Sequence, residues 1–238
     1  MKIYTIANQK GGIGKTTTAQ ALIEILRAKG FKVLGIDLDT QANLSAAMKQ
    51  SGNGAADLIR GGDITAVIKD DFIAASFLVM PEAKKIKAFD LAGSLAKVAG
   101  LYDFVIIDTP PLIDTLTMGA LLASDRLIIT ATTDSFSIAG AKEAIKAASS
   151  ASKINKRFKG AGVLFVKYSA RSILSRDLKE GFEKQARALG VSVYSSAIRE
   201  SVAVREAQAL RLPLIEHARN SNAIKDYRAF VAEILKEG

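Results

Sequence analysis

Lys2-Ile-Tyr-Thr-Ile-Ala-Asn-Gln-Lys-Gly-Gly-Ile-Gly-Lys-Thr-Thr-Thr18 is the stretch on which the fold turns. An apolar, β-branched run meets a loop with glycines at 11, 12 and 14, and Lys15, Thr16 and Thr17 open an amphipathic segment that continues to Ala28. Strand, glycine-rich loop and helix in that order make an anion cradle. Glycines let successive backbone N–H groups turn inward, and the helix N-terminus adds positive potential. In this arrangement Lys10, Gly11, Gly12, Ile13, Gly14, Lys15, Thr16 and Thr17 are the candidate nucleotide-binding residues. Lys15 is placed to reach β and γ phosphates, and the Thr16 hydroxyl to ligate Mg²⁺. A turn that merely joined a strand to a helix would have no use for Lys and Thr directly after Gly14.

Outward from the loop, apolar segments alternate with amphipathic ones. This rhythm predicts an α/β fold, a mostly parallel twisted sheet with helices on both faces, as in P-loop NTPases. Strands are expected at 2–7, 32–37, 77–80, 104–108, 127–131, 162–166 and 191–194, with near-continuous hydrophobicity that implies burial on both faces. Helices are expected at 14–28, 116–123, 137–151, 172–189, 201–210 and 223–236, with Gly30 and Gly190 where two of them end. Residues 40–75 read as short elements and turns. Nothing resembles a linker, so residues 1–238 are expected to form one domain.

Composition removes several chemistries. With no cysteine and a single histidine, His217, disulfides, thiolate catalysis, iron–sulfur clusters and Cys- or multi-His zinc sites are excluded. Any metal must be a hard, oxygen-bound ion. No apolar run approaches the roughly 20 residues of a membrane span, and the start lacks a signal-peptide pattern, so a soluble, cytoplasmic protein is expected. The net charge of +9 is uneven: residues 151–238 hold 17 Lys and Arg against 9 Asp and Glu, and the first 150 hold 16 against 15. A basic surplus confined to one region suits a polyanion-binding surface as well as a solvated face.

Two further segments carry acids where doubly wound sheets bind ligands, at strand C-termini. Gly35-Ile-Asp-Leu-Asp-Thr-Gln-Ala-Asn43 places Asp37 and Asp39 two apart, on one face if the strand continues. One carboxylate can help hold the magnesium environment while the other orients or deprotonates the attacking water. Phe104-Val-Ile-Ile-Asp-Thr-Pro-Pro111 ends an apolar strand in Asp108. A carboxylate there is costly unless it meets a cation or several donors, so Asp108 is expected to hold Mg²⁺ through a water. Thr109-Pro-Pro would then form a loop that senses the γ-phosphate.

The loop departs from the general G-x-x-x-x-G-K-[ST] pattern: Gln9 stands at the first glycine position and Lys10 beside it. Lys-Gly-Gly-x-Gly-Lys-Thr resembles the deviant Walker A box of the ParA/MinD family of ATPases. The resemblance implies that Lys10 crosses a dimer interface to the partner's nucleotide, that Asp39 is the hydrolytic residue, and that Asp37 lies near the metal. Asp108-Thr-Pro-Pro111 matches the family's motif residue for residue, whereas Thr40 replaces its usual proline. The likeness continues through 162–171 and 198–208 to Leu212-Pro-Leu-Ile-Glu216, where the stretch around Pro213 is implied to help hold the adenine. It is weakest between about 49 and 100.

Within the family the chain is most similar to the small partition ATPases. Its last segment, 226–238, carries acids among its bases, unlike the basic amphipathic tail of membrane-riding members. Nitrogenase-type iron proteins need cysteines. Only nine residues precede Lys10, where larger partition ATPases carry a recognition module. The resemblance therefore implies an ATP-dependent homodimer associated with the nucleoid, which holds double-stranded DNA non-specifically through backbone phosphates and works with a ParB-like adaptor. Candidate DNA contacts are Arg171, Arg176, Arg199, Arg205, Arg211 and Arg219, with Lys153, Lys156, Arg157 and Lys159 as a second cluster. A ParA-like positioner of protein cargo and a metabolic P-loop ligase are the alternatives.

Overall fold

The computed structural model describes residues 1–236, and residues 135–139 by their backbone alone. β1 (Lys2–Ala7), α1 (Lys15–Ala28) and β2 (Val33–Asp37) come first. Then come α2 (Asn43–Ala47), α3 (Gly54–Ile59), α4 (Ile64–Val67), β3 (Phe72–Ile73), α5 (Val79–Ala83) and α6 (Leu91–Ala96). The regular alternation resumes with β4 (Phe104–Asp108), α7 (Thr115–Ala123), β5 (Arg126–Ala131), α8 (Ser135–Ile154), β6 (Ala161–Tyr168), α9 (Ile173–Ala188) and β7 (Ser192–Arg199). The order closes with α10 (Val202–Ala209), α11 (Leu214–His217) and α12 (Asn222–Lys236).

Among the described residues seven strands form one sheet in the order β3-β2-β4-β1-β5-β6-β7, and every strand pairing is parallel. The expected α/β architecture is the one observed. Alternation along the central strands divides the core. Tyr4, Ile6, Phe104, Ile106 and Ile128 pack with α1 and α12 on one face, whereas Val105, Ile107, Leu127 and Ile129 meet the helices of the other. The same parity aims Asp37 and Asp108, at two adjacent strand ends, towards the face of α1; they are partners in register. Gly30 and Gly190 follow α1 and α9 with φ of 87° and 69°, the left-handed helix stop their positions predicted. Among the described residues no helix is long and apolar enough to cross a membrane.

One expected strand is corrected. Residues 77–80 are not extended: Phe77 is 77% exposed and Val79–Ala83 is helical, with Pro81 in the first turn, where a missing N–H costs nothing. The strand beside β2 is instead the two-residue β3, and Gly35 makes it possible. A Cβ at Gly35 would lie 2.5 Å from the Phe72 ring. At the opposite edge β7 runs longer than the expected 191–194, with register slips against β6. Its free N–H groups do not stay open: Glu233 on α12 accepts from Ser195 and Ser196 at 2.7 and 3.0 Å, and Asp226 from Arg199 at 3.0 Å. Capping an edge in this way removes a template for strand addition.

Candidate nucleotide site

The loop is held from three sides before any ligand arrives. Asn8, at the end of β1, donates from Nδ2 to the Thr130 carbonyl (2.7 Å) and accepts Lys10 N–H on Oδ1 (3.2 Å). Gly12 and Gly14 have φ of 71° and 77°, conformations open to residues without a Cβ, which fold the chain into the first turn of α1. Lys15 arches back to the Lys10 carbonyl at 3.0 Å. It is only 7% exposed, and burial lowers its pKa against the opposing pull of Asp108 and Asp39. Lys15 is thus a buried cation beside the glycine turns, poised to take anionic charge.

Thr16 and Asp108 meet, Oγ1 donating to Oδ2 at 2.7 Å. Asp108 is fully buried and its Oδ1 has no hydrogen-bond partner among the described residues. Burial, then repulsion by Asp37, pushes its pKa well above the carboxylate range, while Thr16 and Lys15 oppose the shift. An orphaned buried carboxylate oxygen beside a hydroxyl fits a hard cation. Among the described residues no cluster of three or more acids and histidines could hold a metal alone. Thr16 and Asp108 offer oxygens of the kind that Mg²⁺ takes alongside waters and phosphate oxygens. Thr109 locks the following segment by donating to the Ile6 carbonyl at 2.8 Å.

Asp37 and Asp39 diverge, because β2 stops at Asp37. Asp37 accepts from Asp39 N (3.0 Å), Ser45 N (2.8 Å) and Ser45 Oγ (2.7 Å). Burial pushes its pKa up to about 6 despite those donors. Both its oxygens are engaged in shaping residues 39–45, so Thr16 and Asp108 are the expected metal residues that touch each other, with Asp37 beside Asp108 in the sheet. Asp39 lies past the strand, 9% exposed, with Oδ1 accepting Gln41 N–H at 3.0 Å, and its charge is felt by Lys15.

Lys10 lies at the mouth of the loop, with Nζ 2.8 Å from Asp134 Oδ1. Their side chains are 37% and 38% exposed, so the pair is screened and worth about 0–1 kcal/mol. A cavity of about 50 Å³ opens beside Gly14 and Thr17, walled by Val166, Lys167, Ile198, Arg205 and Gln208 among others. Pro213 does not line it. Leu214 and Ile215 donate to Glu24 at 3.2 and 2.9 Å, which fixes the Pro213 turn about two and a half helical turns along α1 from Lys15.

The six candidate arginines are all exposed. Arg199 is paired through two nitrogens with Asp226 (2.9 and 2.7 Å) and Arg205 with Glu200 (3.4 Å). Arg171, Arg176, Arg211 and Arg219 have no acidic partner among the described residues. The second cluster, Lys153 to Lys159, lies by the start of β5, where Arg157 pairs with Asp125 at 3.1 Å; this is the end of the parallel sheet opposite the loop. The sequence reading overlooked Asn8, Ser45, Asp134 and Lys167. Asn8 alone had a local signal, as a polar residue at the junction of strand and loop.

The AAA domain family matches residues 1–159. The chain is 28% identical to the chromosome-partitioning ATPase Soj of Thermus thermophilus, over 97% of this chain and 94% of that protein. It is 29% identical to the sporulation initiation inhibitor protein Soj of Bacillus subtilis, over 100% and 99%. Among solved structures, apo McdA of Cyanothece superposes with a TM-score of 0.85 at 23% identity, covering 99% of both chains. Cobyrinic acid a,c-diamide synthase of Mycobacterium smegmatis, solved with an ATP analog and magnesium, superposes at 0.78 and 22% identity, covering 99% and 95%.

Proposed function

The chain belongs to the AAA domain family and, within it, to the ParA/MinD type of P-loop ATPase, and on that premise we propose that it is an ATP-dependent dimerising ATPase that partitions DNA. The ATP-bound dimer holds plasmid, chromosomal or mobile-element duplexes non-specifically and answers to a ParB-like adaptor. The observation that carries this reading is Lys10, a lysine outside the phosphate ring whose partly exposed amine is held, among the described residues, by a screened ion pair with Asp134. The ring has its own lysine in Lys15, so Lys10 is free to serve the nucleotide of a second copy.

Each residue then has a task. The N–H groups of the 11–16 loop and Lys15 would hold the phosphates of ATP, and Thr16 with Asp108 would hold Mg²⁺. When bound, the ion neutralises charge on the phosphate oxygens. Asp39 orients the attacking water and accepts its proton, while Asp37 and Ser45 hold the Asp39 segment in place. Arg171, Arg176, Arg211 and Arg219 offer uncompensated charge to DNA phosphates; Arg199 and Arg205 must first leave their acids. A second reading, an ATP-dependent metabolic ligase, draws on the fold shared with the diamide synthase and predicts a substrate-dependent product without DNA affinity. Protein-cargo positioning would keep the same ATPase and DNA surface.

Sedimentation tests the assembly step. With Mg²⁺ and ADP the chain should run as a monomer, and with a non-hydrolysable ATP analogue as a dimer. One mass under both conditions would count against γ-phosphate control of assembly.

A further inference from the structure

The end of β6 lies against the phosphate loop: a Cβ built on Gly14 would stand 3.4 Å from Val166 Cγ2. Lys167 follows with φ of 52°, where the β6–β7 register slips between Val166 and Tyr168. A residue with a long side chain is disfavoured in that conformation. Its consequence here is that the side chain leaves the alternation of the strand and crosses to the loop, where Nζ donates to the Gly12 carbonyl at 2.8 Å. Lys167 also lines the cavity beside the loop, together with Gly14, Thr17 and Gln208, whose Nε2 donates to the Thr17 hydroxyl. The acid of that cavity, Glu200, is paired with Arg205 at 3.4 Å. The ammonium of Lys167 therefore lies between the phosphate ring and the cavity into which a nucleoside would extend, with a neutral carbonyl as its partner.

We propose that Lys167 is a third lysine of the nucleotide site, one that holds the phosphates nearest the nucleoside. The role rests on the loop being a nucleoside-phosphate site. It differs from the roles of the two loop lysines: Lys15 serves the far phosphates and Lys10 a second copy, whereas Lys167 meets groups that ATP and ADP share. Its loss weakens both nucleotides by the same factor. A tether that merely steadied Gly12 would carry no charge dependence.

Calorimetric titration with MgADP and with a non-hydrolysable ATP analogue separates the cases. Lys167→Asn removes the amine yet tolerates positive φ, and Lys167→Gly is the second variant should the first fail to fold; melting without nucleotide checks both. Loss of one charge-assisted contact predicts about tenfold weaker binding of both nucleotides. The deficit should shrink as salt is raised, and Lys167→Arg should recover most of the affinity. Affinities within about twofold of the original, or a deficit that ignores salt and is not rescued by Arg, would overturn the assignment while leaving the nucleotide site intact. A wild-type chain that bound neither nucleotide would remove the site itself.

Discussion

Asp39→Ala should keep ATP bound and slow its hydrolysis on the order of 10²-fold or more, the scale of a lost positioned general base. Among the described residues neither Lys15 nor the Thr16–Asp108 pair hydrogen-bonds the Asp39 side chain. Asp37 holds the segment through the backbone N–H of residue 39, which alanine retains. What disappears is the carboxylate beyond the end of β2. Phosphate release at saturating ATP, with nucleotide titration as control, measures the effect. Lys15→Ala should behave differently, impairing nucleotide binding or phosphate placement itself. Normal turnover in Asp39→Ala would mean that another carboxylate acts.

Lys10→Ala should weaken the analogue-dependent dimer more than tenfold while leaving nucleotide binding by the monomer nearly unchanged. In the single chain Lys10 contributes a backbone carbonyl to Lys15 and its own amine to Asp134, and neither is a phosphate contact. Only the second copy loses by the substitution. Sedimentation at several protein concentrations gives the dissociation constant; an equally stable Lys10→Ala dimer would remove the trans role.

The fold and the candidate phosphate loop were legible because their determinants are contiguous. β-branched runs specify buried parallel strands, and the glycines, Lys15 and Thr16 lie within one turn of chain. Asp108 was legible because a lone acid ending an apolar strand has few alternatives. The remaining parts depend on pairs far apart in the chain. Lys10 and Asp134 are separated by 124 residues, and nothing local announces that β5 ends beside β1. Ser45 gives no signal of its own until Asp37 accepts from it and Ala75 N–H donates to its hydroxyl at 2.9 Å. Residues 77–80 are apolar enough for a strand, yet the edge beside β2 accepts only Phe72 and Ile73, and Phe77 is left in solvent. The arginines show the limit of counting charge: the surplus lies in the C-terminal third, but Asp226 and Glu200 already claim two of the six candidates.

Binding of the analogue-loaded dimer to two unrelated duplexes over a salt series tests the central claim most directly. If backbone phosphates are the target, both duplexes bind alike, and log K falls with log salt at a slope of about −0.9 per neutralised phosphate. Removing one contacting arginine per subunit, with Arg171→Ala, Arg211→Ala and Arg219→Ala tested separately, should make the slope shallower by roughly 2 per dimer on both duplexes. An intact, nucleotide-loaded dimer with no DNA affinity even at low salt would contradict the partition reading and favour the metabolic alternative.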